Sequence, residues 1–205
     1  MMEIYPIMLR LKGKRIVVVG GGKVAERKVA GLLGTGARII LICPEASDGL
    51  KQLALDGKID WRQKSFSESD LQDAFMIFAA TNDTELNRLV KNSAADHQLA
   101  TIADDPNGSD FHVPSHLKRG RLSIAVSTGG ASPTLARKIR QQLELQFDDS
   151  YESYLEFLFE TRKWILNEVE DAAIKRNLLK AIVSPEFLNS KNRDEDFQRL
   201  YEELK

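Results

Sequence analysis

Every position from Ile16 to Val19 is apolar, and the run stops at three glycines. Apolar residues then recur at helical spacing, at Val24, Val29, Leu32 and Leu33. An unbroken apolar run of this length is a strand buried on both faces. A second run, Arg38 to Cys43, follows the helix. Continued along the chain, the pattern predicts strand 15–19, helix 23–35, strand 38–42, helix about 47–56, strands 59–63 and 75–79, helix 83–97 and strand 99–103. Leu86, Leu89, Val90 and Ala94 form the apolar face of helix 83–97, with Asn82 or Asp83 as its cap. Strand and helix in alternation imply a parallel sheet with helices on both faces, an α/β domain ending near residue 113.

Beyond residue 113 the pattern changes. Arg121–Ser127 reads as a strand, Thr128-Gly-Gly-Ala-Ser-Pro as a second glycine turn, and Ser132 with Pro133 as the cap and first position of a helix to about Phe147. Residues 150–205 are expected to be helical throughout. The closely spaced aromatics Tyr151, Tyr154, Phe157, Phe159 and Trp164 fit a core or a subunit contact, and residues 192–205 an amphipathic terminal helix. The chain thus divides into residues 1–113, 114–149 and 150–205.

The first glycine turn carries chemistry. Gly20-x-Gly22-x-x-Ala25 has the spacing that cradles a dinucleotide pyrophosphate. Gly20 permits the tight turn, Gly22 lets backbone approach the phosphates, and Ala25 keeps helix close to sheet. The N–H groups that open the helix, at Lys23 and Val24, face the anion. Such turns also serve as bare connections. Here a strand precedes, a helix follows and a second strand closes a βαβ unit of about thirty residues, which favours the dinucleotide. Where an acid often binds the adenosine ribose stand Cys43 and Pro44, with Glu45 just beyond. No arginine pair follows to hold a 2′-phosphate, so NAD is expected over NADP. Cys43 reads as a small packing residue rather than a reactive thiol.

Ligands in open parallel sheets bind at the carboxyl ends of the strands. Two polar clusters share that rim: Thr81-Asn82-Asp83 and Asp104-Asp105-Pro106. Thr81 and Asn82 serve equally well as cofactor contacts or as part of a helix cap. Asp104-Asp105-Pro106-Asn107-Gly108 is good turn chemistry, but a turn needs one aspartate; the other can act as a general base, and Asp104 is the candidate.

The whole chain of 205 residues has net charge −1, which argues against nucleic acid as a partner. Residues 114–146, however, hold six basic side chains and one acidic. With Arg137, Lys138 and Arg140 near a helix start, this island is either a solvated face or an anion site. There is no charged leader before a long apolar stretch and no membrane-span-length run, so the cytoplasm is expected. A single cysteine and three histidines, His97, His112 and His116, make no metal-site spacing. His112, near the rim, is open between contacting substrate and packing.

Together Tyr5-Pro-Ile, Val19–Lys28, Ala79–Asp83, Asp105-Pro106, Asp110-Phe111 and Ser127–Arg137 resemble the precorrin-2 dehydrogenase family of sirohaem synthesis, including the N-terminal module of sirohaem synthases. The resemblance covers residues 5 to about 145, and the last sixty residues match only in being helical. It implies a Rossmann-type NAD-binding domain, a dimerisation segment over 114–149, a helical C-terminal domain, and a homodimer oxidising precorrin-2 to sirohydrochlorin with NAD. By position it implies Asp104 in catalysis and Gly22, Lys23, Cys43 and Pro44 at the cofactor. The tetrapyrrole carboxylates would then meet the second glycine turn, Ser127, Thr128, Gly129, Gly130, Ser132 and Arg137, with His112 nearby. Thr128 stands where some relatives have a phosphorylatable serine. Some relatives also insert iron; dehydrogenase activity alone is expected here, with a bifunctional enzyme or a non-catalytic NAD-sensing dimer as the alternatives.

Overall fold

The computed structural model describes residues 4–205; the start of the first expected domain, Met1–Glu3, lies outside them. The chain separates into two compact units, Met1–Val113 and Pro114–Lys205.

In the first unit β1 (Arg15–Val19), β2 (Arg38–Ile42), β3 (Asp60–Arg62), β4 (Met76–Ala79) and β5 (Leu99–Ile102) form one sheet in the order β3-β2-β1-β4-β5. All pairs are parallel. Alternate residues of the apolar runs serve opposite faces. Ile16, Val18, Ile39, Leu41, Met76 and Phe78 pack with α1 (Lys23–Leu32) and α2 (Asp48–Leu55). Val17, Val19, Ile40, Ile42, Ile77 and Ala79 pack with Leu86 and Val90 of α3 (Thr84–Asn92). Burial of each of the larger of these side chains contributes about 1.5–3 kcal/mol, which fixes the register of the strands.

Strand order reverses between β1 and β4, so a crevice opens at their carboxyl ends, beside Gly20 and Ala80. The outer edge of β5 is covered by chain that folds back along it. Ala100 N–H donates to Asp110 Oδ2 (2.8 Å), Asp110 N–H to Ala100 O (2.9 Å), and Ile102 N–H to Ser109 Oγ (2.9 Å). Side chains thus satisfy donors that a bare edge would expose.

Helix ends and one strand differ from the sequence reading. α1 stops at Leu32 because Gly34 and Gly36 turn the chain with φ +76° and +74°. α3 stops at Asn92, where the side-chain carbonyl of Gln98 accepts Ala95 N–H and its amide donates to Leu71 O and Ala74 O. A short 3-10 turn, Glu68–Leu71, precedes β4.

In the second unit β6 (Ser115–Arg119) and β7 (Leu122–Val126) form an antiparallel hairpin. Its two-residue turn gives Gly120 φ +51°, a conformation that favours glycine. The sequence pattern missed β6 because Ser115-His-Leu-Lys-Arg buries only Leu117. α4 (Pro133–Gln146) packs on the hairpin. Residues 150–205 are helical, as four helices: α5 (Ser150–Glu168), α6 (Ala172–Ala181), α7 (Pro185–Asn189) and α8 (Arg193–Leu204). Tyr154, Ile165, Leu178, Phe187 and Phe197 make their core, with Trp164 edge-on to Phe197 and Tyr201. Of the aromatic series, Phe159 stays outside and is stacked by Arg121 at 3.5 Å.

Candidate functional site

The first unit gathers Gly20, Gly22, Lys23, Val24, Cys43, Pro44, Thr81, Asn82 and Asp104 at the carboxyl ends of β1, β2, β4 and β5 or the helix that follows. The three glycines have different duties. Gly20 has φ +125°, and a Cβ there would lie 2.2 Å from Ala80 O. At Gly21 a Cβ would lie 1.9 Å from Glu45 O and 2.9 Å from Cys43 Sγ. The connection after β2 therefore presses on the turn, and Ser47 N–H donates to Gly21 O at 2.8 Å. Ser47 hydroxyl also donates to Glu26 Oε2 at 2.6 Å, tying α1 to the start of α2. At Gly22 a Cβ would meet nothing within 4 Å.

Gly22 is the N-cap of α1 and supplies no side-chain cap. The first N–H groups of α1 therefore emerge into open space with the positive end of the helix dipole behind them. An anionic pyrophosphate fits this arrangement, and a side chain on Gly22 would intrude on it. Cys43 is buried against the turn, and burial pushes its thiol up, away from reactivity. Pro44 and Glu45 are exposed. The cations at and just after the end of β3 are engaged elsewhere: Arg62 by Asp60 and Asp70, Lys64 by Asp70.

At the β4 end Asp83, not Asn82, caps α3, accepting Glu85 and Leu86 N–H at 2.9 and 3.0 Å. Thr81 is held by Asn87, which the sequence reading missed. Asn87 is completely buried on α3; its Oδ1 accepts Thr81 N–H (3.0 Å) and Thr81 hydroxyl (2.8 Å). Asn82 is exposed at the rim. The signal for Asn87 was a polar residue three before core Val90 on a helix, since a buried amide implies a hydrogen-bond network.

The two aspartates after β5 differ: one closes a turn and the other stands at the rim. Asp105 Oδ1 accepts Asn107 N–H (3.1 Å) and Gly108 N–H (3.0 Å), while Ser109 hydroxyl donates to Asp105 O at 2.8 Å. Asp104 is exposed at the rim, its Oδ1 accepting Asn87 Nδ2 (3.0 Å) and its Oδ2 accepting Thr84 hydroxyl (3.1 Å). Nearby Asp110 is anchored rather than free. Burial works to raise its carboxyl, but hydrogen bonds from Lys91 and Ala100 N–H outweigh it and hold the group below the usual carboxylate range. His112 is half-buried in the segment that follows.

The second unit holds Ser127, Thr128, Gly129, Gly130, Ser132 and Arg137 at the start of α4. Gly129 and Gly130 have φ +58° and +85°, and Ala131 N–H closes the turn on Thr128 O at 3.0 Å. Positive φ at both central positions is why two glycines stand there. Thr128 hydroxyl donates to Ser132 O (3.0 Å) and accepts Ser132 N–H (3.1 Å), and Ser132 Oγ caps Leu135 N–H at 3.1 Å. Ser127 Oγ accepts Gly129 N–H at 3.2 Å.

Half of the basic island is neutralised within this unit. Arg121 pairs with Glu156 at 2.7 Å and Arg140 with Glu144, while Arg119 Nε lies 2.9 Å from Asp149 without hydrogen-bond alignment. Lys118, Arg137 and Lys138 remain exposed without a carboxylate partner among the described residues. Among the described residues no three histidine, cysteine or carboxylate side chains cluster as metal ligands.

A family model described as NAD(P)-binding matches residues 7–115, one described as sirohaem biosynthesis protein, central, matches 119–146, and one for the SirC C-terminal domain matches 151–197. The precorrin-2 dehydrogenase of Priestia megaterium is 35% identical over 201 residues, spanning 98% of this chain and 100% of the relative. That of Bacillus subtilis is 29% identical, spanning 77% and 98%. A sirohaem synthase of Nitrosococcus oceani is 39% identical over 85% of this chain, which spans 38% of that longer protein. The solved structure of SirC, a precorrin-2 dehydrogenase, superposes with TM-score 0.84 at 34% identity over 98% of this chain and 100% of its own.

Proposed function

This chain belongs to the precorrin-2 dehydrogenase family, and on that footing we propose that it oxidises precorrin-2 to sirohydrochlorin with NAD, Asp104 taking the proton. It is a nicotinamide-dependent oxidoreductase of sirohaem synthesis. The observation that carries the reading is the rim itself: an uncapped helix start behind an open Gly22, and an exposed carboxylate on a fastened loop two strands away. Two strand spacings are about 10 Å, a span that a dinucleotide bridges from its pyrophosphate.

When bound, the nicotinamide accepts a hydride. The substrate loses that hydride and one proton, giving sirohydrochlorin, the reduced cofactor and H⁺. Asp104 receives the proton on a carboxylate already oriented by two donors, so little reorganisation is needed at the moment of transfer. Gly20, Gly22, Lys23 and Val24 seat the pyrophosphate; Cys43 and Pro44 line the adenosine side, and Thr81 and Asn82 the rim beside it. Exposed Glu45 and the engagement of Arg62 and Lys64 disfavour a 2′-phosphate, which supports NAD over NADP. The substrate carboxylates bind the α4 turn, at Ser127, Thr128, Gly129, Gly130 and Ser132, with Arg137 supplying charge; His112 is the remaining substrate contact.

The protein works as a homodimer through residues 114–149. In support, both outer strand edges of the hairpin lack a ladder partner among the described residues, and Leu135 and Leu145 of α4 are exposed. No described helix is long and apolar enough to cross a membrane. Placement in the cytoplasm accords with a lone reduced cysteine. The test is anaerobic turnover of precorrin-2 with NAD or NADP, followed by absorbance, with ferrous ion added afterwards. Asp104→Ala is expected to bind NAD normally and lose turnover about 100-fold or more; full turnover by that variant would remove Asp104 from the mechanism.

A further inference from the structure

The geometry points to Asn87 as the positioning residue of the reaction: one buried amide holds the Asp104 carboxylate and the Thr81 backbone of the neighbouring strand end in a single rigid unit. The inference rests on Asp104 being the proton acceptor.

Asn87 spends all four of its hydrogen-bonding positions on this duty. Its Oδ1 faces two donors, the N–H and hydroxyl of Thr81. Its Nδ2 faces two acceptors, Thr81 O at 3.1 Å and Asp104 Oδ1 at 3.0 Å. A flipped amide would set donor against donor and acceptor against acceptor, so the network itself fixes the orientation. No solvent reaches the side chain. The amide is thus held from behind, and its one bond to an exposed group is the bond to Asp104.

The carboxylate has three further constraints. Thr84 hydroxyl donates to its other oxygen. Ala103 N–H is tied to Ala79 O at 2.9 Å just before it, and the Asp105 turn follows just after. Thr84 is exposed and its hydroxyl can rotate to water, whereas Asn87 has no alternative partner. Asn87 therefore sets the direction of the remaining lone pairs of Asp104. Because the same amide grips Thr81, the β4 and β5 ends of the rim keep one spacing.

A purely structural amide would be needed for folding and nothing else; a positioning amide also acts on turnover, chiefly through Asp104. Asn87→Asp separates the two. The substituted carboxylate still accepts both Thr81 donors, but its second oxygen meets Thr81 O and Asp104 as acceptor against acceptor, and Asp104 turns away. We expect kcat to fall about 10- to 100-fold, as a misplacement of about 1 Å does, with KM for NAD changed less than about threefold. In an Asp104→Ala background the same substitution should cause no further loss, since the pair then acts as one unit. Thr84→Val, at an exposed site that leaves the fold intact, should give a smaller loss that also vanishes in the Asp104→Ala background. If Asn87→Asp does not fold, by circular dichroism, Asn87→Ala replaces it with the same expected outcome.

Unchanged kcat in the folded Asn87 variant, or an equal loss with and without Asp104, overturns the proposal while leaving Asp104 as the base. Full turnover by Asp104→Ala alone overturns the base assignment, and the positioning role with it.

Discussion

Alanine at Gly21 and alanine at Gly22, one residue apart, should do opposite things. At Gly22 the backbone has φ −90° and ψ −174°, which any residue adopts, and the added methyl group meets no atom within 4 Å. Folding should be unaffected or stabilised by about 0.4–1 kcal/mol, because the unfolded chain loses freedom. The methyl group would stand in front of the uncapped α1 start. Loss of one hydrogen bond to a charged phosphate oxygen costs about 1.5–3 kcal/mol, which weakens NAD roughly 10- to 150-fold. At Gly21 the methyl group would sit 1.9 Å from a backbone oxygen, where ordinary contact begins at 3.4 Å. The difference must come from moving the β2–α2 connection or α1, and overpacking of this kind costs about 1–3 kcal/mol. A Tm lower by about 2–12 °C follows. Thermal unfolding by circular dichroism and NAD titration by calorimetry read both variants. NAD binding within about twofold of the parent in Gly22→Ala, or a parental Tm in Gly21→Ala, would refute the division of duties.

Acid stability should depend on Asp70. Burial works to raise its carboxyl, but hydrogen bonds from Lys64 and from the Ser67 N–H and hydroxyl outweigh it and hold the group below its ordinary value. A depressed folded value gives stability that is complete above the unfolded value near 4 and is lost as pH falls through the folded one. Asp70→Asn should therefore melt below the parent at pH 7 and approach it as pH falls below the ordinary carboxylate range; parallel curves at all pH values would contradict this. Arg137→Ala, which removes an unpaired exposed charge, should raise KM for the tetrapyrrole several-fold while leaving NAD affinity unchanged, measured by steady-state turnover and calorimetry. Light scattering of the full chain should give twice the monomer mass, and Leu135→Glu should shift it toward monomer.

How much was legible depends on the range of the interaction. The strands β1, β2, β4 and β5, the first glycine turn and the Ser132-Pro133 helix start follow from periods of two and 3.6 residues and from turn chemistry, all contained within a few neighbours. Those local rules also brought Gly20, Gly22 and Asp104 to one rim, because parallel strands must end on the same side. The local rules overran α1 and α3 and passed over β6, whose strand exists because it pairs with β7.

Only the tertiary structure decided which glycine serves the protein and which leaves room for a ligand, since that depends on Glu45, more than twenty residues from the turn. It decided which aspartate closes the turn and which is held at the rim by a buried amide, since Asn87 lies 17 residues before Asp104. It also paired two charges of the basic island, because Arg121 finds Glu156, 35 residues on, and Arg119 meets Asp149, while Arg140 closes locally on Glu144 one helical turn on. The sequence by itself determined that the glycine turn and the Asp104 carboxylate follow strands ending on one side of the sheet. Partners distant along the chain, brought together by burial, decided how those groups are held and which charges remain available.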